Sequence, residues 1–307
     1  MENKLNKPEE KEEKEKKPKI SYETVWKAII RPPRDSYTLN NLGPQYFTYQ
    51  NRSYKRKDFT LINNRGHLLQ CSIIEPIKSN RPSDIMPIVI YLHANSSSRL
   101  EGNLMKNYLL SNNINLLIFD FSGSGLSEGE YISLGYHEIN DVKIIVDYIE
   151  KYPGTGNIGL WGRSMGAATS LMYASKDKRI KAICVDSPFA EFKRLAKEMC
   201  LNVVKLPNFL LDGAISIISK TCKNKNGTDI YKIKPIDYVK ECFIPALFIH
   251  AVNDEMVPLQ HSLDLIEVYP GEKIIKTCEG GHNSNRPKAL LADVGVFFYR
   301  YLYGEKK

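Results

Sequence analysis

Apolar residues follow two spacings that alternate along this chain from about residue 58 onward. Short, near-continuous apolar runs occur at 87–93 (PIVIYLH), 115–121 (NLLIFDF), 157–162 (NIGLWG), 181–187 (KAICVDS), 245–251 (PALFIHA) and 272–278 (EKIIKTC). Runs of that length predict strands buried on both faces, as in a parallel sheet with helices between its strands. Ahead of them, DFTLI (58–62) and HLLQCSII (67–74) flank Asn63-Asn64-Arg65-Gly66, a turn that makes the two a hairpin. Elsewhere the period is helical: Ile139, Val142, Ile145, Val146 and Ile149 form one apolar stripe over 137–152. A last helix is predicted over 286–302, with Pro287 near its first turn. The architecture these elements predict is α/β, a sheet of about eight strands, mostly parallel, flanked by helices.

The 307 residues suffice for one large domain of this kind with a substantial core. Three segments are expected. Residues 1–19 hold seven Lys and six Glu and read as a disordered charged tail. Residues 20–55 read as an N-terminal extension packing on the domain, and 56–307 as the domain itself, with a short cap at about 188–240. The net charge of +8 therefore sits mostly in the body. YKRKD (54–58) is a local basic cluster, but no basic stripe with interleaved aromatics runs along the chain, so nucleic acid is not an expected partner. The six cysteines show no Cys-x-x-Cys pair and no metal-type spacing, and read as free thiols of a reducing compartment. An apolar leader and a bilayer-length apolar run are both missing, which makes a cytoplasmic location, with membrane contact at most peripheral, the expectation.

The chemistry is concentrated in NIGLWGRSMGAATSLMYA (157–174). Gly162-Arg163-Ser164-Met165-Gly166 matches G-x-S-x-G between a predicted strand and a predicted helix, the setting that holds a serine nucleophile on a strained turn. Bulk two residues before or after the serine would clash, hence the two glycines. Such a serine needs a base, an acid that orients the base, and two backbone donors for an oxyanion. In this architecture they follow in the order Ser, acid, His. Of the three later histidines, His282 lies just beyond the last strand in CEGGHNSNRP, His250 inside a strand, and His261 at a helix start. His282 is the candidate base. Asp254, in HAVNDEMVP, is the candidate acid; Asp186 is its rival one strand earlier, Glu255 is expected to point elsewhere, and Asp264 to lie on a helix surface. The oxyanion donors are expected from Met165 and from the loop YLHANSSSRLEG (91–102), where Asn95 is chosen, with Ser96 behind it and His93 as a brace. FSGSGLSEGE (121–130) has Glu where G-x-G-x-x-G needs its third glycine, so a structural turn rather than a dinucleotide site is expected. The mechanism requires no metal or organic cofactor.

From about residue 56 to 302 the chain resembles α/β-hydrolases of the serine aminopeptidase S33, or lysophospholipase-like, branch, and is similar to the cytosolic hydrolases that remove palmitate from proteins. The resemblance rests on YLHANSSSRLEG, FDFSGSGLSEGE, GRSMGAATS, VDSPF, FIHAVNDEMVP and EGGHNS, in that order. It implies an α/β-hydrolase fold and cleavage of carboxylic esters or thioesters through an acyl-enzyme on Ser164, on small acyl substrates, lipids or acylated proteins. Two other readings stand beside it: an aminopeptidase or amide hydrolase, and a catalytically silent scaffold that binds a ligand or partner. The chain departs from the pattern at Ala94, where the family usually has glycine; a positive φ there would strain an alanine. KLPNFLLDGAISIISK (205–220), with Leu206, Phe209, Leu210, Leu211, Ile215, Ile217 and Ile218, reads either as a cap receiving an acyl chain or as a helix covering the sheet.

Overall fold

Nine strands make one sheet in the computed structural model, which describes residues 21–203 and 207–304. The chain enters through β1 (Tyr46–Tyr49), β2 (Arg52–Ile62) and β3 (Leu68–Pro76), which pair antiparallel. It continues through β4 (Met86–Leu92), β5 (Asn115–Phe119), β6 (Thr155–Arg163), β7 (Ile180–Asp186), β8 (Ala246–Ala251) and β9 (Lys273–Cys278), all mutually parallel. The spatial order is β1-β2-β3-β5-β4-β6-β7-β8-β9. From β4 the chain therefore steps out to β5 and then crosses back to β6. That reversal leaves a crevice at the carboxyl ends of β4 and β6, where ligands of open α/β sheets bind.

Nine helices surround the sheet among the described residues: α1 (Tyr22–Ile30), α2 (Arg99–Leu110), α3 (Glu138–Glu150), α4 (Met165–Ala174), α5 (Phe192–Val203), α6 (Asn208–Asn226), α7 (Pro235–Val239), α8 (Gln260–Val268) and α9 (Lys288–Tyr303). Alternate residues of β4 separate two cores: Ile88, Ile90 and Leu92 join the side of α3 and α4, and Val89 and Tyr91 the side of α2 and α9. All ten residues of α4 are buried, and its Gly166, Ala167 and Ala168 let the helix lie close on the sheet. No described helix is long and apolar enough to cross a membrane. The six cysteines are free thiols.

The structure refines three details of these elements. The sheet has nine strands rather than about eight, because β1 and the start of β2 fall inside the segment taken as an extension. The turn joining them places Gln50 and Asn51 at φ 46° and 60°, the left-handed pair a two-residue hairpin needs, without the Asn-Gly or Asp-Gly that signals one. β9 was expected to be buried on both faces, yet Ile274 and Ile275 are 37% and 38% exposed, because β9 is the edge strand and has one neighbour. The basic cluster of 54–58 is not free charge: Arg56 is buried and pairs with Asp58 at 2.9 Å, and Lys55 pairs with Glu75 at 3.2 Å. The charged tail over 1–19 and Leu206 of the cap segment lie outside the described residues, as does the side chain of Phe209.

Candidate active site

Ser164 sits on the turn from β6 into α4 with φ 52° and ψ −112°, a conformation non-glycine residues rarely adopt. Backbone packing accounts for both neighbouring glycines. A Cβ on Gly162 would lie 2.2 Å from the carbonyl oxygen of Gly166, and one on Gly166 2.0 Å from that of Leu92. Neither contact can be relieved by a side chain moving. The turn is tied to the next strand by the Ser164 N–H, which donates to the Asp186 carbonyl at 2.8 Å.

Ser164 Oγ lies 3.0 Å from His282 Nε2, and His282 Nδ1 lies 2.7 Å from Asp254 Oδ2. The other Asp254 oxygen accepts the N–H groups of Met256 and Val257 at 3.0 and 2.7 Å. Asp254 is buried, which raises a carboxyl pKa, but its hydrogen bond to His282 and the histidine's charge outweigh burial and hold it below the usual carboxylate value. Asp186, the rival acid, is engaged elsewhere: both its oxygens accept from Arg286 at 2.9–3.1 Å. Glu255 accepts the His282 N–H at 3.1 Å through its carboxylate, so it steadies the loop backbone rather than the imidazole. Asp264 pairs with Arg194 on α5. His250 is fully buried; its Nε2–H donates to the Val257 carbonyl at 2.8 Å and its Nδ1 accepts from Ser262 at 2.7 Å. His261 is buried too, accepting the Ala190 N–H at 3.0 Å and donating to Glu198 at 2.7 Å.

The loop after β4 faces the serine. His93 braces it, accepting the Phe121 N–H at 3.1 Å and donating to the Ala94 carbonyl at 2.8 Å. The positive φ falls on Ser96 (60°) and not on Ala94, so the alanine in place of glycine carries no left-handed strain. The Ala94 N–H is occupied by Glu101 Oε2 at 2.8 Å, whereas the Asn95 and Ser96 amides have no acceptor among the described residues. Met165 opens α4, so its N–H has no intrahelical acceptor. Asn95, Ser96, Ser164, Met165 and His282 all line one cavity of about 500 Å³.

The rest of that cavity is apolar. Phe192, Leu195 and Met199 of α5 and Ile215 and Ile218 of α6 form one wall. Val25, Ala28 and Ile29 of α1 form another, a contribution that sequence reasoning missed. In the loop after β5, a Cβ on Gly125, at φ 48°, would lie 2.4 Å from Cγ of the buried Asp120, which explains the glycine there.

A family model described as X-Pro dipeptidyl-peptidase (S15 family) matches residues 65–214. An uncharacterized protein of Bacillus subtilis, YqkD, is 28% identical over 206 residues, covering 66% of this chain and 67% of its own length. The lysophosphatidylserine lipase ABHD12 of Macaca fascicularis is 28% identical over 184 residues, 56% of this chain; the aligned part spans 43% of that lipase. The esterase Pf2001 of Pyrococcus furiosus superposes with a TM-score of 0.65 at 24% identity, covering 88% of this chain and 99% of the esterase. The chain has the α/β-hydrolase fold.

Three residues near the serine had no signal in the sequence. Arg286 joins the end of β7, through Asp186, to the carbonyls of Gly281 and Ser284 in the His282 loop, at 3.1 Å each. Arg163 donates to the His282 carbonyl at 2.7 Å and pairs with Glu101 at 3.1 Å, and Glu101 holds the Ala94 N–H. The loop after β4 and the His282 loop are thus tied through one ion pair.

The buried histidines are expected to make the protein acid-sensitive. Burial lowers the pKa of His250 and His261 below the ordinary histidine value, only partly offset by the Val257 carbonyl and by Glu198. Both bind a proton more readily unfolded than folded, so stability falls as pH drops through about 6.5, the unfolded value. Asp254, with its lowered pKa, adds a further loss only below the ordinary Asp value of about 4. Burial pushes the Asp141 carboxyl up to about 6, which works in the opposite sense over this range. With two histidines against one carboxyl, the melting temperature is expected to be lower at about pH 5 than at neutral pH; an equal or higher value would contradict this account.

Proposed function

We propose that this chain is a serine hydrolase that cleaves carboxylic esters or thioesters of apolar acyl groups. One observation carries the reading: Ser164 Oγ, His282 and Asp254 form a continuous hydrogen-bonded line at the floor of an apolar cavity. His282 takes the Ser164 proton as Oγ attacks the acyl carbon, and Asp254 holds the tautomer with the proton on Nδ1 and stabilises the imidazolium. The amides of Met165 and Asn95 receive the oxyanion, which in mutagenesis of such holes is worth about 10²–10³ in rate per donor. His282 then protonates the leaving group, and water attacks the acyl-enzyme with His282 again as base.

The S15 match raises peptide bonds as the alternative. A free substrate amino group would need a counter-charge, and among the described residues the cavity lining contains no Asp or Glu. That favours acyl esters.

The test is fluorophosphonate labelling of the purified protein, followed by p-nitrophenyl esters of increasing chain length beside aminoacyl p-nitroanilides. Labelling is expected, with kcat/KM rising from acetyl to octanoyl by up to about fourfold per methylene, the value of burying one CH₂. Absence of labelling in folded protein would leave the silent scaffold; faster turnover of the anilides would favour the amide hydrolase.

A further inference from the structure

A second cavity, of about 730 Å³, opens beside the catalytic one. The two share Thr24, Ala28, Pro32 and Pro33, so the end of α1 and the proline pair that follows form their common wall. Their chemistry differs. The catalytic cavity is lined by apolar and neutral polar residues besides His282, while the outer one gathers Lys27, Arg31 and Arg34 against a single carboxylate, Glu130.

Arg34 is the informative member. Its Nε and Nη1 donate to the carbonyls of Gly123 and Ser127 at 3.2 Å each, and Nη2 donates to the carbonyl of Gly129. Three carbonyls of the FSGSGLSEGE loop thus orient the guanidinium without neutralising it. Of its five N–H groups two remain, one on each Nη, for an anion to accept from. Lys27 and Arg31 flank it, each in an exposed ion pair, with Glu23 at 2.5 Å and Glu130 at 2.9 Å. Exposed pairs of this kind are weak and exchange readily for a better anion.

We propose that this outer pocket binds a phosphate-ester anion carried by the acyl substrate, with Arg34 as its anchor. The proposal rests on the acyl-hydrolase reading: the apolar chain fills the catalytic cavity and the charged end of the molecule passes over Pro32 and Pro33. A phosphate monoester suits the site better than a carboxylate, because the lining has a surplus of two positive charges and room well beyond one carboxylate. Such an anion could be the headgroup of a lysophospholipid or the phosphates of a nucleotide-type thioester carrier.

Calorimetric titration of dodecyl phosphate into the Ser164→Ala protein tests the site without turnover, with dodecylglycerol as the neutral counterpart. The readout is the ratio of the two Kd values. Arg34→Gln is expected to cut the preference for the phosphate about fivefold, the worth of roughly one charge-assisted contact. Lys27→Gln should act in the same direction but less. Glu130→Gln, which releases Arg31, should increase the preference, and about 0.5 M salt should shrink it in every variant. A ratio that none of the three substitutions moves, in variants that melt like the parent, overturns the proposal. Lauroyl lysophosphatidate and lauroyl-CoA, titrated the same way, separate the two sources of the anion; if neither binds better than dodecylglycerol, the proposal also fails. Because the probe is not hydrolysed, failure here is distinct from failure of the hydrolase reading, which fluorophosphonate labelling of the unmodified protein decides.

Discussion

Ser164→Ala and His282→Ala are each expected to lower kcat for p-nitrophenyl butyrate by about 10⁴–10⁶, the range in which removal of a nucleophile or its base leaves only binding and oxyanion stabilisation. The geometry dictates that the losses not add. His282 Nε2 sits 3.0 Å from Ser164 Oγ, and in the proposed mechanism it moves the proton of that oxygen. Once the oxygen is gone the imidazole has nothing to activate, so the double variant should be no slower than the worse single one. Asp254→Asn should fall short of the same loss while keeping some fluorophosphonate reactivity, because it disturbs the tautomer rather than the nucleophile. Initial rates for the parent and the four variants, each checked for native circular dichroism, decide the matter; a Ser164→Ala protein within a hundredfold of the parent would sink the assignment.

The largest stability effect is expected at Arg286. Its guanidinium and the Asp186 carboxylate are 7% and 5% exposed, and the pair is doubly hydrogen-bonded. Burial works against the Arg286 charge, and Asp186 more than compensates, raising its pKa. Arg286→Leu leaves the carboxylate buried without a partner, which typically costs about 3–5 kcal/mol, equivalent to a melting temperature lower by roughly 10 °C in a domain this size. It also frees the Gly281 and Ser284 carbonyls, so the His282 loop should loosen and fluorophosphonate labelling should slow. The diagnostic variant is Asp186→Leu/Arg286→Leu. Removing both charges should recover most of the stability, while the loop, still without its tether, should not recover its labelling rate. If the double variant were as unstable as Arg286→Leu, the cost would lie in packing and not in the orphaned charge.

These two cases divide what could be read in advance from what could not. Ser164 is legible because a strained turn demands glycine at 162 and 166, a local rule written in five consecutive residues. His282 and Asp254 are legible because chain order and the strand ends leave few candidates. Arg286 is different: its partner Asp186 is 100 residues away, and only the parallel pairing of β7, β8 and β9 brings the two loops together. The same holds for Glu101 and Arg163, 62 residues apart.

The sequence by itself determined the α/β architecture, through apolar runs whose length and spacing allow little else, and it determined the elbow, whose sterics are local. Tertiary structure alone decided that β1 joins the sheet, that β9 is a half-exposed edge, that α1 walls the catalytic cavity, and that Arg34 is held by the glycine loop. The physical reason is one of range. Periodicity and turn sterics act within a few residues and leave their mark in order, whereas burial at an edge, a shared cavity wall or a distant ion pair depends on which surfaces the folded chain brings into contact.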